Sequence, residues 1–448
     1  MEDRLDLMER GQRLTDRILQ EADTVPSILL MCRNDPVLRF HQTRGELEIL
    51  NSRLMPYSLR GQVANVVNSS SLDGLSPASA ARIVLHNNEV FKSFIARRVL
   101  SLTRSNAKTL LNVFNFSQSD DVDTRFKIAL ACHGVSMSDS YWLKIEGSFE
   151  SWDEMNIKKV PLSKIVASIA LNGRPLAILG DPPLQTPEFL TKGIYAKAWQ
   201  RESDGFCYLK KRGLFGRDLD PKCEVEASSI MDHFDVSHAR YTLIEDEYGC
   251  MSKCRCVATE NLGLVDASEL KARFDRYNHE EGDTFTNYVL ERDRENVLKM
   301  CVMDFLCSNA DRHIDNWGFY QDYSKGELTT LYPLIDLNRC FDPEVIESKD
   351  GGPCLSLADL NLSQRDIAIM AMRELDMRMK SPIDRKDFFF PEHYESFLEK
   401  WEIISSRCHD KSYGVPGTKG IYQDKTGTTF ESRDYEKNRM RDADAYDI

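Results

Sequence analysis

The spacing of apolar and polar positions changes period along the chain. Near the start, Leu5, Met8, Leu14, Ile18 and Leu19 fall on an imperfect helical stripe, and helical spacing returns over 76–85, 87–99 and 106–114. Between these, 37–41 and 46–50 predict a strand pair around Thr43-Arg44-Gly45. Residues 1–135 therefore read as a mainly helical N-terminal region of unassigned role, with an acidic loop at 117–123. From 136 to 185 aromatic residues and turn formers take over, as expected of a connecting segment packed on the next domain, and Gly180-Asp181-Pro182-Pro183 marks its end.

Residues 186–262 turn to short strands, predicted at 206–211, 239–244 and 254–259, with one helix at 224–234. From Ala267 the pattern is mainly helical through 413. There Val297, Met300, Cys301, Met303, Phe305 and Leu306 mark a buried helix, and a hairpin is predicted from 317–321 and 330–335. Residues 414–448 hold few aliphatic side chains and much Gly, Thr and Asp, which predicts a flexible tail. Strands, helix, strands and then a helical half is the order of a two-lobed α+β domain.

The predicted hairpin carries the chemistry. Asp311, His313 and Asn316 stand in the order D-x-H-x-x-N just before its first strand, and Asp336 just after its second. Transfer of a phosphoryl group from ATP needs such a set: a carboxylate to orient the hydroxyl nucleophile, and an Asn and a second carboxylate to hold metal ions. Short polar side chains also gather in turns because they bond the local backbone. Asp336 at the end of an apolar run, and the hydrophobic helix upstream, are independent matches to the catalytic reading.

The strand-rich half should then cradle phosphates. Gly193 lets the backbone approach a phosphate, and Lys197 adds charge nearby, although with only one glycine a plain hairpin turn is the stronger reading of this segment by itself. Lys210 and Lys211 point to opposite faces of a strand, so only one can enter a cleft. Lys211 shares its face with Leu209 and Cys207, which suits the buried side. Glu224 and Glu226 open the following helix and are the candidate partners of that lysine.

Composition narrows the function classes. The chain has 448 residues, 42% hydrophobic and 29% charged, enough for a bilobal enzyme with a sizeable core. A net charge of −13 argues against direct, salt-driven nucleic-acid binding. No apolar run is long enough to span a bilayer, so no membrane association is expected. The start is charged throughout and lacks a signal core, and twelve scattered cysteines read as reduced thiols of a cytoplasmic protein. Cys250, Cys254 and Cys256 cluster, but without paired spacings or a close histidine they read as core thiols, not a zinc site.

With these residues in place, the chain resembles the HipA-like serine/threonine kinases, and looks closest to a branch found in Gram-positive bacteria and mobile elements. The resemblance runs from about 135 to 401. It is carried by S-M-S-D-S-Y-W-L-K with W-D-E-M-N, L-T-K-G-I-Y-A-K-A-W, Y-L-K-K-R-G, E-V-E-A-S-S-I, N-A-D-R-H-I-D-N and P-L-I-D. It implies a kinase-like two-lobed fold using ATP and Mg2+. Asp311 would be the catalytic base, and Asn316 and Asp336 the metal ligands. Gly193, Lys197, Lys211 (or its neighbour Lys210), Glu224 and His313 would lie around the nucleotide. Two departures stand out: Leu190 replaces the family's regulatory serine, and Arg212 the glycine after the ATP-binding lysine. The expected function is transfer of the ATP γ-phosphoryl group to a Ser/Thr hydroxyl of a protein, in a toxin-like or regulatory setting with room for an antitoxin-like or regulatory partner. The alternatives are a pseudokinase acting as a binding module, or a lipid or small-molecule kinase.

Overall fold

Three antiparallel strands come first among the residues that the computed structural model describes, 27–407 except 43, 67–68, 175–184 and 278–283. The Leu5–Leu19 stripe, Thr43, the 180–183 boundary and the 414–448 tail lie outside the described residues. The strands are β1 (Ser27–Cys32), β2 (Asp35–His41) and β3 (Glu46–Ile49). A fourth, β4 (Tyr141–Ile145), pairs with β1 to complete the order β3-β2-β1-β4. The continuous apolar run of β1, S-I-L-L-M-C, has no period to separate strand from helix, which is why the sequence pattern missed it.

Three helices share one core with this sheet: α1 (Pro77–Ala96), α2 (Ala107–Val113) and α3 (Val122–Ala131). Local chemistry starts two of them. Ser76 caps α1, with Pro77 at its first position, and Asp121 caps α3 through the Thr124 N–H at 2.8 Å. α4 (Lys164–Asn172) is capped by Ser163 and ended by Gly173 at φ 67°. Phe40, Phe91, Phe114 and Phe126 form the centre of this core, which continues into Phe189, Leu190, Ala198 and Met251 of the next unit.

The second sheet is antiparallel in the order β5-β6-β8-β7: β5 (Lys197–Arg201), β6 (Cys207–Arg212), β7 (Tyr241–Asp246) and β8 (Gly249–Arg255). α5 (Leu219–Asp232) follows β6 and packs beneath the sheet. The third sheet, β11-β10-β9, joins β9 (Leu262–Asp266) to the hairpin β10 (Gly318–Asp322) and β11 (Glu327–Leu331). Gly318 opens β10 because a Cβ there would lie 2.0 Å from the Val265 carbonyl oxygen.

Around these strands lie α6 (Ala267–Tyr277), α7 (Phe285–Leu306), α8 (Gln364–Leu375) and α9 (Pro391–Arg407). α7 breaks at Asp293 (φ −155°), whose carboxylate receives the Leu331 N–H at 2.8 Å. The buried stretch from Val297 to Leu306 is the segment after this break.

Three predicted strands shift. β11 ends at Leu331 rather than 335 because Pro333 has no N–H for the ladder. Leu334 instead donates to Ser237 and accepts from the Ala239 N–H, both at 2.9 Å. That exchange removes Ala239 from β7, which starts at Tyr241. β8 starts at Gly249, well before the predicted 254, since its Ser252 and Lys253 hid the alternation. The eleven described cysteines are free. Cys254 lies in the large core around α7, as expected of a core thiol. Among the described residues no helix is long and apolar enough to cross a membrane.

Candidate functional site

β5, β6 and β8 set three polar side chains on one face of the second sheet. Lys197 lies opposite Lys211, and Lys211 opposite Ser252, so pairing register alone puts them together. Lys210 faces the other side, opposite Lys253, with Glu202 4.0 Å away. Lys211 is 5% exposed. Its Nζ lies 2.5 Å from Glu224 Oε1, 2.7 Å from Asp336 Oδ1 and 3.0 Å from Asn338 Oδ1. Burial alone would push its pKa down; the Asp336 and Glu224 carboxylates outweigh it and hold the ammonium firmly charged.

Glu224 is fully buried on the sheet-facing side of α5. Burial pushes its carboxyl up, and Lys211 opposes that; Ser252 Oγ donates to it at 2.5 Å and the Leu337 N–H at 3.3 Å. Glu226, two residues on, faces away. It accepts from the Phe389 and Phe390 N–H groups and pairs with His393 Nδ1 at 2.6 Å. Cys223, Glu226 and His393 are the one group among the described residues with metal-ligand proximity. With both Glu226 oxygens already engaged, they lock α5 to the start of α9.

The helical half supplies the acids. Asp336 holds φ 58°, a left-handed turn that Asp tolerates, and its N–H donates to Tyr241 Oη at 3.1 Å. Burial would raise its pKa, but Lys211 and then Lys197 outweigh that and hold it well below the carboxylate range. Asn316 donates through Nδ2 to the Asp311 carbonyl at 2.8 Å and to its carboxylate at 3.4 Å, which leaves Oδ1 as an acceptor. Asp311, with a side chain 43% exposed, is raised above the usual carboxylate range. Burial is the main cause, opposed by His313, and Asp336 adds to it. His313 sits on the rim between Asp311 and Asp315, 3.7 Å from each carboxylate.

Arg312, which the sequence pattern did not single out, holds these acids in place. Its buried guanidinium pairs with Asp304 at 3.1 Å and donates to the carbonyls of Asn316 and Ile335, each at 2.8 Å. One side chain therefore fixes the backbone at Asn316 and next to Asp336. Asn338 and Tyr195 were missed as well. The Tyr195 ring lies 5.4 Å from Lys211 Nζ.

The loop before β5 completes the cleft. Gly193 holds φ 96°, and a Cβ there would come 2.4 Å from Lys197 Nζ. Lys197 is 8% exposed, and burial pushes its pKa down to about 8, against the pull of Asp336. The N–H groups of Lys192, Gly193, Ile194 and Tyr195 donate to no described residue. The geometry thus brings together Gly193, Lys197, Lys211, Glu224, Asn316, Asp336 and Asp311, and leaves Lys210 outside. The donor set suits a nucleotide with its metal: free amides and two lysines for phosphates, and an amide oxygen with a carboxylate for a hard cation. Arg212 also lies away from the cleft, bonded to Asn172 and Asp246.

No protein-family model matches this chain, and no curated protein does. Solved structures do. The Helicobacter pylori proinflammatory kinase CtkA is 17% identical, with a TM-score of 0.36 over 48% of this chain and 92% of that one. HipA of Shewanella oneidensis MR-1, solved with HipB and its operator DNA, is 12% identical, with a TM-score of 0.44 over 85% of this chain and 96% of that one. These likenesses concern the fold alone and single out no branch of the HipA-like kinases. The chain's own sheets and helices make the fold α+β, with a strand-rich unit around β5–β8 followed by a helix-rich half from α6 onward.

Proposed function

We propose that this chain is an ATP-dependent phosphotransferase that phosphorylates Ser or Thr hydroxyls of a protein. The observation that carries the reading is the joint placement of Lys211, Glu224 and Asp336 within 2.7 Å contacts, beside Asn316 and Asp311. Charge on transferred phosphates has to be met by fixed cations and donors, since the protein does little covalent chemistry in such reactions. Lys211 and Lys197 supply the cations, and the loop amides of 192–195 the donors.

Asn316 and Asp336 would hold Mg2+, which supplies neutralisation of phosphate charge when bound. Asp311 takes the proton of the acceptor hydroxyl as its oxygen bonds to the γ-phosphorus and the bond to ADP breaks. Its raised pKa suits a base, and its partial exposure leaves room for an acceptor from solution. The protein acceptor, the cytoplasmic setting and an antitoxin-like or regulatory partner belong to the proposal on the motif resemblance.

The test is incubation of purified chain with γ-labelled ATP and cell lysate, followed by identification of the labelled species. Label on Ser or Thr of a protein is expected, and its loss in Asp311→Asn. Label on a lipid or small molecule would replace the acceptor class. ATP binding without any transfer would make the chain a pseudokinase.

A further inference from the structure

We propose that Arg104, from the N-terminal region, is a positioning residue that sets the shape of the phosphate-binding loop at 191–197. The proposal rests on the reading of the cleft as an ATP site. Arg104 is 3% exposed and lies in the turn before α2. Its Nη1 donates to the carbonyls of Glu188 at 2.7 Å and Thr191 at 3.3 Å, and its Nη2 to the carbonyl of Lys197. One guanidinium therefore bridges the two ends of the loop. The neighbouring Ser105 N–H takes the Ile194 carbonyl at the loop's tip, at 2.8 Å.

The direction of these bonds is what matters. Every carbonyl named is drawn toward the N-terminal region, while the amides of 192–195 have no partner among the described residues. A run of unpaired N–H groups in a tight turn makes an anion-binding concavity. Free peptides do not hold that polarity, because turning one peptide would exchange its N–H for its C=O. Arg104 and Ser105 make the turned state costly by leaving a buried guanidinium and a backbone amide without acceptors. Burial lowers the Arg104 pKa to about 10, which leaves it cationic at neutral pH.

A planar fork suits this task where a point charge does not, since three carbonyls at separate places need donors spread in one plane. The anchor is rigid. Phe114 of the N-terminal core packs edge-to-face on Phe189 with ring centroids 4.9 Å apart, and the Leu100 N–H bonds the Phe189 carbonyl at 2.8 Å.

The experiment compares wild type, Arg104→Lys and Arg104→Met as full chains, with calorimetric affinities for Mg·ATP and for adenosine and with KM for ATP. Loss of the loop's shape is felt by phosphates and not by the base. Affinity for ATP should fall about tenfold or more in Arg104→Met, less in Arg104→Lys, with adenosine affinity unchanged. KM for ATP should rise more than kcat falls. Equal loss for both ligands, or no loss for either, overturns the positioning role while wild-type ATP binding leaves the site reading intact. A wild type that does not bind ATP overturns both. Arg104→Lys keeps the charge and most of the volume, so it carries the comparison should Arg104→Met fail to fold.

Discussion

Lys211 Nζ lies 2.5 Å from Glu224 Oε1, and the same nitrogen reaches Asp336 Oδ1 at 2.7 Å. A strand of one lobe, a helix of that lobe and a loop of the other thus meet at one ammonium. Lys211 neutralises two carboxylates that would otherwise repel each other, Glu224 fully buried and Asp336 a third exposed. Phosphates entering the cleft would compete for that charge.

Register decides which lysine matters. Lys211→Ala should lower kcat/KM for ATP by about 100-fold, the loss of a charge-assisted contact made to phosphate. Lys210→Ala should change it by about twofold at most, because its side chain leaves from the opposite face. Steady-state kinetics on both variants checks this, and equal losses would displace Lys211 from its role.

Asp311→Asn should abolish transfer and leave the affinity for Mg·ATP within about threefold, since in the proposed reaction the group meets the acceptor and not the nucleotide. Asp336→Asn should weaken metal-dependent binding as well as transfer. Stability adds a second readout. The folded chain binds the Asp311 proton more tightly than the unfolded chain, so ionising that carboxyl costs stability as pH rises through its raised pKa. Asp311→Asn should therefore melt no lower than wild type at neutral pH. If the residue only capped a turn, the variant would lose about 1 kcal/mol and no activity selectively.

The pH profile follows from the same shift. A base works deprotonated, so kcat/KM should climb with pH through the raised Asp311 pKa and level off above it. Burial sets that limb, and His313 opposes it. His313→Ala should move the limb to higher pH. An unmoved or lowered limb would separate the profile from Asp311.

Arg312→Met leaves Asp304 as a buried carboxylate without its partner and should cost about 3–5 kcal/mol in denaturant unfolding. A second change, Asp304→Leu, should recover part of that stability. Activity should stay lost, because the carbonyls of Asn316 and Ile335 remain unheld. Recovered transfer in the double variant would make Arg312 a stability device alone.

Gly193→Ala places a Cβ on a backbone at φ 96° and 2.4 Å from Lys197 Nζ. The flexible lysine can move aside, so the main cost is backbone strain of about 1–3 kcal/mol. Weaker ATP binding with a lowered Tm is expected. Unchanged affinity would mean that this loop does not meet phosphate.

Some of this protein was written locally. The D-x-H-x-x-N spacing puts Asp311 and Asn316 within one turn, close enough for Asn316 to bond the Asp311 carbonyl at 2.8 Å. The two-residue period of β6 separates Lys210 from Lys211 before any tertiary contact forms. Ser76, Asp121 and Ser163 start their helices by bonding N–H groups a few residues away. The ends of β11 and β8, the strand β1 and the union of β4 with the N-terminal sheet were decided elsewhere. Pro333 cannot donate to the ladder, but that Leu334 would pair instead with Ser237 and Ala239 was settled by packing, and apolar runs such as S-I-L-L-M-C carry no period.

The most consequential contacts lie further apart still. Lys211 and Asp336 are separated by 125 positions, and Arg104 and Glu188 by 84. Arg104 and Arg312 act on backbone carbonyls, a group every residue carries, so no side-chain pattern can announce which arginine will meet which loop. Residue types with a local hydrogen-bonding habit were legible in the sequence. The donors that shape the cleft from a distance took their acceptors only when the sheets and cores had packed.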